Sequence, residues 1–465
     1  MPSHLTRRTL IASTTAAAAA PLLASCGEID GPPRPPSVRD QHDSDTVGGD
    51  ILIANALVFD GERFTEHDSV AVRGGLIAEV GRGLAAEDLP RFDAAGRVLL
   101  PGLIDAHAHR SGHNAHAGLR FGVTAMLDMY GAIDERGDRT DLGVRDRSDI
   151  WWAGWGLTVP GGHPTQWFPQ APTVQDAAEV RAFVAERAAE GSDYLKLLLQ
   201  RQGPPRTLSQ EEATAGVESA HDHGMLAVAH VGDWEDALVA ANAGVDALVH
   251  LPWGETPDAE ALELLAERGT PVVATLTVTS AGRCDHSMDQ FLDDPAVAAR
   301  LDSGQRTEAS LEAQFCDDLD LDRWRDGTAA SFDAIRQAGL PLLIGTDNGN
   351  PPVVTGVSMY HEMAMLAEHG LSTEEILAGA TSATADVFGL DERGRIAADK
   401  RGDLLLLEAT DAAQVIGSGA VAAVWKNGHA VELETRLRGR EVAQGRDVAV
   451  RAEAGDDADR VGRDV

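Results

Sequence analysis

His107 and His109, one residue apart in Pro101-Gly-Leu-Ile-Asp-Ala-His-Ala-His109, are the pair most suggestive of chemistry. On an extended strand, residues i and i+2 point to one side, so both imidazoles face one site, about 7 Å apart at their Cα atoms. That spacing suits two nitrogen ligands on one metal ion. Four further ligand-type residues sit in or at the ends of apolar runs. Lys196 lies within Asp193-Tyr-Leu-Lys-Leu-Leu-Leu, and His230 closes Leu226-Ala-Val-Ala-His. His250 closes Asp246-Ala-Leu-Val-His, and Asp347 closes Leu342-Leu-Ile-Gly-Thr-Asp. A single such residue is more often a satisfied core polar group than a ligand, but recurrence over five strands points to one shared site.

Lys196 is the sharpest anomaly, because burial in an apolar strand disfavours the ammonium. Desolvation lowers its pKa, and the neutral amine can then react with CO2 to give a carbamate, an anion able to bridge two divalent cations. The competing reading is a buried salt bridge to an acid such as Asp347.

These residues need elements to position them. Eight runs read as strands: 103–109, 122–128, 151–157, 193–199, 225–231, 245–251, 271–277 and 341–347. Several are almost continuously apolar, as parallel strands covered by helices are. Helical patterns such as 174–190 and 209–223 lie between them. Eight is the number that closes a (β/α)8 barrel, whose active sites gather at the C-terminal strand ends. The expected fold class is therefore α/β, a TIM barrel over residues 101–393. Segments 49–100 and 394–440 are β-rich with hairpin signals, and neither buries a core alone. They are expected to pair into one small β-sandwich, followed by a charged tail, 441–465.

The first 25 residues read as an export signal, with Arg7-Arg8 resembling a twin-arginine motif. Leu23-Ala-Ser-Cys26 resembles a lipoprotein box, in which Cys26 is lipidated, and residues 27–48 read as a linker. This predicts an exported protein whose contact with a membrane is through an N-terminal lipid anchor. With 39 Lys+Arg against 74 Asp+Glu and a formal charge of −35, electrostatic nucleic-acid binding is disfavoured. Three cysteines cannot build a disulfide scaffold, although Cys284 and Cys316 could pair in an oxidising compartment.

Taken together, the 101–109 motif, Gly122-Val-Thr, the Lys196 strand, His230, His250, Gly345-Thr-Asp347 and the return strand near Asp403 resemble the metal-dependent amidohydrolase superfamily. The similarity covers roughly residues 49–440. Asp193-Tyr-Leu-Lys196 and the Gly161-Gly-His163 loop look most like the Xaa-Pro dipeptidase and imidazolonepropionase-like branch. The resemblance implies that His107, His109 and Asp347 hold one metal. It implies that His230 and His250 hold a second, with carbamylated Lys196 bridging the two. Asp347 would carry the proton from water to the leaving nitrogen of an amide, cyclic amide or dipeptide-like bond in a small-molecule substrate. His163, in the turn-rich loop after strand three, would hydrogen-bond a substrate carbonyl or oxyanion, or stand as a loop histidine in solvent. Zinc suits the N/O ligands, and manganese, cobalt or iron suit them too. The alternatives are a mononuclear imidazolonepropionase-like hydrolase or deaminase, and a catalytically dead binding lipoprotein. A homo-oligomer stays open.

Overall fold

The computed structural model describes residues 48–109, 114–132, 145–279, 284, 287–311, 320–350, 352–416 and 419–433. The export signal, Cys26, most of the linker, Cys316 and the charged tail lie outside them. Cys284 is disulfide-bonded.

The N-terminal β-rich segment supplies β1 (Ile51–Ala54), β2 (Leu57–Val58), β3 (Ser69–Arg73), β4 (Leu76–Gly81), β5 (Arg91–Asp93) and β6 (Val98–Pro101). Next come β7 (Leu103–Ala108), β8 (Val123–Asp128), β9 (Asp149–Trp152), β10 (Tyr194–Leu199) and β11 (Leu226–Val231). Then follow β12 (Ala247–Val249), β13 (Val272–Val273), β14 (Leu342–Leu343), β15 (Leu404–Leu407), β16 (Val421–Lys426) and β17 (His429–Ala430).

Both chain ends build one sheet, in the order β17-β16-β15-β6-β2, and a second runs β4-β3-β1-β5. The apolar residues of the two meet: Ile53, Val70 and Val72 share a cluster with Leu99, Leu404, Leu406 and Trp425. Neither segment could exclude water from such a face by itself, which is why they fold as one unit.

Strands β7-β8-β9 and β10-β11-β12-β13-β14 form two sheets, parallel throughout. At one junction Leu157 N donates to Lys196 O (2.7 Å) and Leu198 N to Leu157 O (3.0 Å). At the other, Ala106 N donates to Ile344 O (2.9 Å), and Ala108 bridges Asn348 in parallel. Seven of the eight expected strand runs contain one of these elements, with β12, β13 and β14 only two or three residues long. The third run only overlaps β9, which spans Asp149–Trp152 instead of 151–157. Gly154, at φ 76°, turns the chain in a left-handed conformation that breaks the ladder until Leu157. A Cβ on Gly156 would lie 2.4 Å from Leu198, so only glycine lets this segment approach β10.

Helices return the chain between strands, with ends fixed by local chemistry. Ala177–Glu190 is capped by Asp176, and Gln210–Asp222 begins with a capping box between Ser209 and Glu212. Gly191, Gly244 and Gly269 end three helices in the left-handed conformation.

A buried ionic network ties β9 to the C-terminal sheet. Lys426 Nζ, on β16, lies 2.8 Å from Asp149 Oδ2, and Arg393 bonds both Asp149 and Asp403.

Candidate metal centre

The residues singled out in the sequence converge at the C-terminal ends of the parallel strands, although up to 240 positions separate them along the chain. His107 and His109 both direct Nε2 at Asp347 Oδ1, at 3.3 and 2.8 Å. One ligand atom from each of the three lies within 4.8 Å of the others. His250 Nε2 stands 4.0 Å from Asp347 Oδ2, and its ring centroid is 4.9 Å from that of His107. His230 packs edge-on against His250 at 4.6 Å, and His163 stacks on His230 at 4.8 Å. The Cα register places Leu198 beside His230, and Lys196, two residues before Leu198, shares its face of β10.

Backbone conformation contributes to this convergence. His250, Thr275 and Asp347 all have positive φ, of 49°, 48° and 57°. For non-glycine residues this costs free energy, and such strain persists where surrounding contacts over-determine it, typically at functional sites. Gly345 permits the close approach of β7, since a Cβ there would fall 2.6 Å from His107 N.

Electrostatics select a neutral donor set. Burial holds His107 and His230 well below the ordinary imidazole range, and lowers His250 to about 3 and His163 to about 4. His109 differs: burial lowers it, but the charge and hydrogen bond of Asp347 raise it overall. Burial opposes ionisation of Asp347, yet the imidazoles of His107 and His109 hold it well below the carboxylate range. Lys196, 2% exposed, is pushed down to about 7 by burial, which outweighs the attraction of Asp347 and Asp128. Among the described residues neither Lys196 Nζ nor His107 Nδ1 has a hydrogen-bond partner. A buried amine that readily loses its proton, beside a carboxylate and three imidazoles that burial keeps neutral, fits an N/O metal site.

Outer contacts fix which nitrogens remain available. Gln200 Oε1 engages His230 Nε2 at 2.8 Å, leaving Nδ1, whereas Thr275 Oγ1 engages His250 Nδ1 at 2.7 Å, leaving Nε2. The Thr275 turn is itself clamped by Glu362, whose carboxylate accepts from the Leu276 and Thr277 amides, both at 2.7 Å. Asp105 accepts from Thr346 N and Oγ1 at 2.9 and 2.7 Å and from His107 N at 3.2 Å, locking β7 to the Asp347 turn. Asn348 Oδ1 accepts from His109 N at 2.8 Å. Groups that orient metal-binding imidazoles typically contribute about 10–100-fold in metal affinity or activity. Thr275→Val keeps the shape and loses the hydroxyl, so it should weaken metal retention by about 10–100-fold, read by competition with a chelator. Unchanged retention would deny Thr275 that orienting role.

Sequence comparison agrees with this geometry. The pattern described as "Amidohydrolase family" matches residues 98–431. An uncharacterized protein of Mycobacterium tuberculosis is 30% identical over 306 residues, covering 61% of this chain and 73% of its own. An imidazolonepropionase of Cupriavidus taiwanensis is 24% identical over 408 residues, 79% of this chain and 90% of its own. Among solved structures, a Xaa-Pro dipeptidase with methionine bound in its active site shares the fold. Its TM-score is 0.66 at 22% identity, over 83% of this chain and 100% of that one.

Proposed function

Because the chain belongs to the amidohydrolase family, hydrolases of carbon–nitrogen bonds, we propose that it cleaves an amide, cyclic amide or dipeptide-like bond at a centre for two divalent cations. The observation that carries this reading is the trio of His107, His109 and Asp347, with ligand atoms within 4.8 Å of one another. In this reading they would hold one cation and His230 and His250 the other, and Lys196, once carbamylated, would supply oxygen ligands to the centre. Zinc matches the donor set best, with two imidazoles or more per ion. Bound divalent ions supply a low-pKa water at neutral pH and polarise the scissile carbonyl.

The protein's own groups do the rest. Asp347 Oδ1 already receives Asn350 Nδ2 at 3.0 Å, so Oδ2 is the atom left to take a proton from the attacking water. The same oxygen then returns that proton to the leaving nitrogen. His163, kept neutral by burial, accepts from Gln166 Nε2 at Nδ1 (3.3 Å), so its proton resides on Nε2. In this reading that N–H donates to the substrate carbonyl as negative charge develops there.

The eight parallel strands, joined at both junctions, read as a closed barrel. The two flanking sheets read as a sandwich assembled from both chain ends, and the division at 101 and 393 follows. Arg7-Arg8 and Leu23-Ala-Ser-Cys26 support an exported, lipid-anchored enzyme acting on small molecules.

The reading is tested with dipeptides, N-acyl amino acids, cyclic amides, lactones and phosphotriesters. C–N substrates should turn over, lose turnover with chelator and regain it with zinc. Hydrolysis confined to the esters, or insensitive to chelator, would contradict it.

A further inference from the structure

Trp167 and Phe168, 66% and 38% exposed, are two of the three large apolar side chains exposed among the described residues. They are consecutive, and they lie on the loop that carries His163. Water would ordinarily drive such rings inward, and a pair held at a polar site is better explained by a ligand that covers them. Trp167 meets the His163 ring edge-on at 5.5 Å. Phe168 turns the other way, toward Tyr130 at 5.3 Å and Trp155 at 6.2 Å, and those two rings meet at 5.2 Å. The floor beneath them is Leu198, which belongs to the same apolar cluster. Leu198 also lies two residues beyond Lys196 and pairs in register with His230. The aromatic wall is therefore continuous with the candidate centre.

A second observation within this wall points to a ligand. Tyr130 is nine-tenths buried and its hydroxyl has no hydrogen-bond partner among the described residues. Burying a hydroxyl without a partner is costly, and native structures seldom leave one so. Burial raises its pKa further above 10, so the phenol keeps its proton and acts as a donor.

We propose that Tyr130, Trp155, Phe168 and Leu198 form a substrate subsite that takes a ring-bearing apolar group next to the scissile bond, with Tyr130 Oη donating to a substrate oxygen. The proposal rests on the hydrolase reading for the identity of that bond, but its recognition chemistry can be tested without turnover. Two product-like probes, N-acetyl-L-phenylalanine and N-acetyl-L-alanine, are titrated calorimetrically into the zinc-loaded protein. The phenyl probe should bind about tenfold tighter or better, the range expected for filling an apolar pocket. Phe168→Ala and Trp155→Ala should each reduce that gap to below about threefold, and Tyr130→Phe should weaken both probes about fivefold. Phe168 is partly exposed, so its variant carries the test if Trp155→Ala fails to fold. Equal affinities, no binding of either probe, or a gap unchanged in Phe168→Ala overturns the subsite. A phenyl preference in a protein that turns over no C–N substrate supports the subsite and sinks the hydrolase reading alone.

Discussion

Asp347→Asn should lower kcat by about 10³-fold while most of the bound metal is retained. The substitution keeps size and shape, and an amide oxygen in the place of Oδ1 can still serve as a neutral oxygen ligand. What it removes is the anionic oxygen. In the natural protein that carboxylate is held ionised among imidazoles which burial keeps largely uncharged. It is thus a group at the centre able to take a proton from water and return it. Loss of a proton-transfer role falls on kcat and kcat/KM alike, whereas loss of a binding role alone would raise KM. Steady-state kinetics with parallel metal analysis separates the two. Turnover within a few fold of the natural protein would remove Asp347 from the mechanism.

Asp149→Ala should cost about 3–5 kcal/mol of folding stability, the range for stripping one partner from a buried ion pair. Lys426 is fully buried, with Nζ 2.8 Å from Asp149 Oδ2, and Arg393 bonds the same oxygen. Removing Asp149 leaves these buried cations with Asp403 and, for Arg393, Glu392 as remaining acids. Urea unfolding of purified protein measures the loss directly, and a midpoint unchanged at equal slope would show the network to be energetically idle. The same network sets an acid limit. Burial raises Asp149 and Asp403, but Lys426, Arg393 and Arg401 together outweigh it, so both end below the usual carboxylate value of 3.8. Groups depressed on folding contribute stability that is present above their unfolded pKa and lost as pH falls through the folded one. Stability should therefore decline below about pH 4, and less steeply in Asp149→Ala.

Most strands were legible because several are nearly unbroken apolar runs separated by helical patterns. The six candidate ligands were legible because each ends, or lies within, one of those runs. Strand three begins two residues earlier and ends five residues earlier than its apolar run suggests, because Gly154 and Gly156 interrupt the ladder after Trp152. Residues that orient the centre stayed hidden for a different reason. Thr275, Glu362, Gln200 and Asn348 are ordinary polar residues whose roles arise from partners 25 to 239 positions away. Nothing local marks them. Asp105 and Asp128 were within reach: one stands two residues before His107, and the other closes β8 as Asp347 follows β14. Applying the strand-end rule to the second strand would have found Asp128, which is buried and near enough to attract Lys196 and His109 electrostatically.

Lys196, a buried amine with no hydrogen-bond partner among the described residues and a pKa lowered to about 7, is central to the two-cation centre. Elemental analysis of the purified protein and of Lys196→Ala, both prepared with zinc and bicarbonate, addresses it directly. The natural protein should carry about two divalent ions per chain and the variant about one or none, because the bridge is lost. A Lys196→Ala protein that keeps as much metal as the natural one would contradict the account.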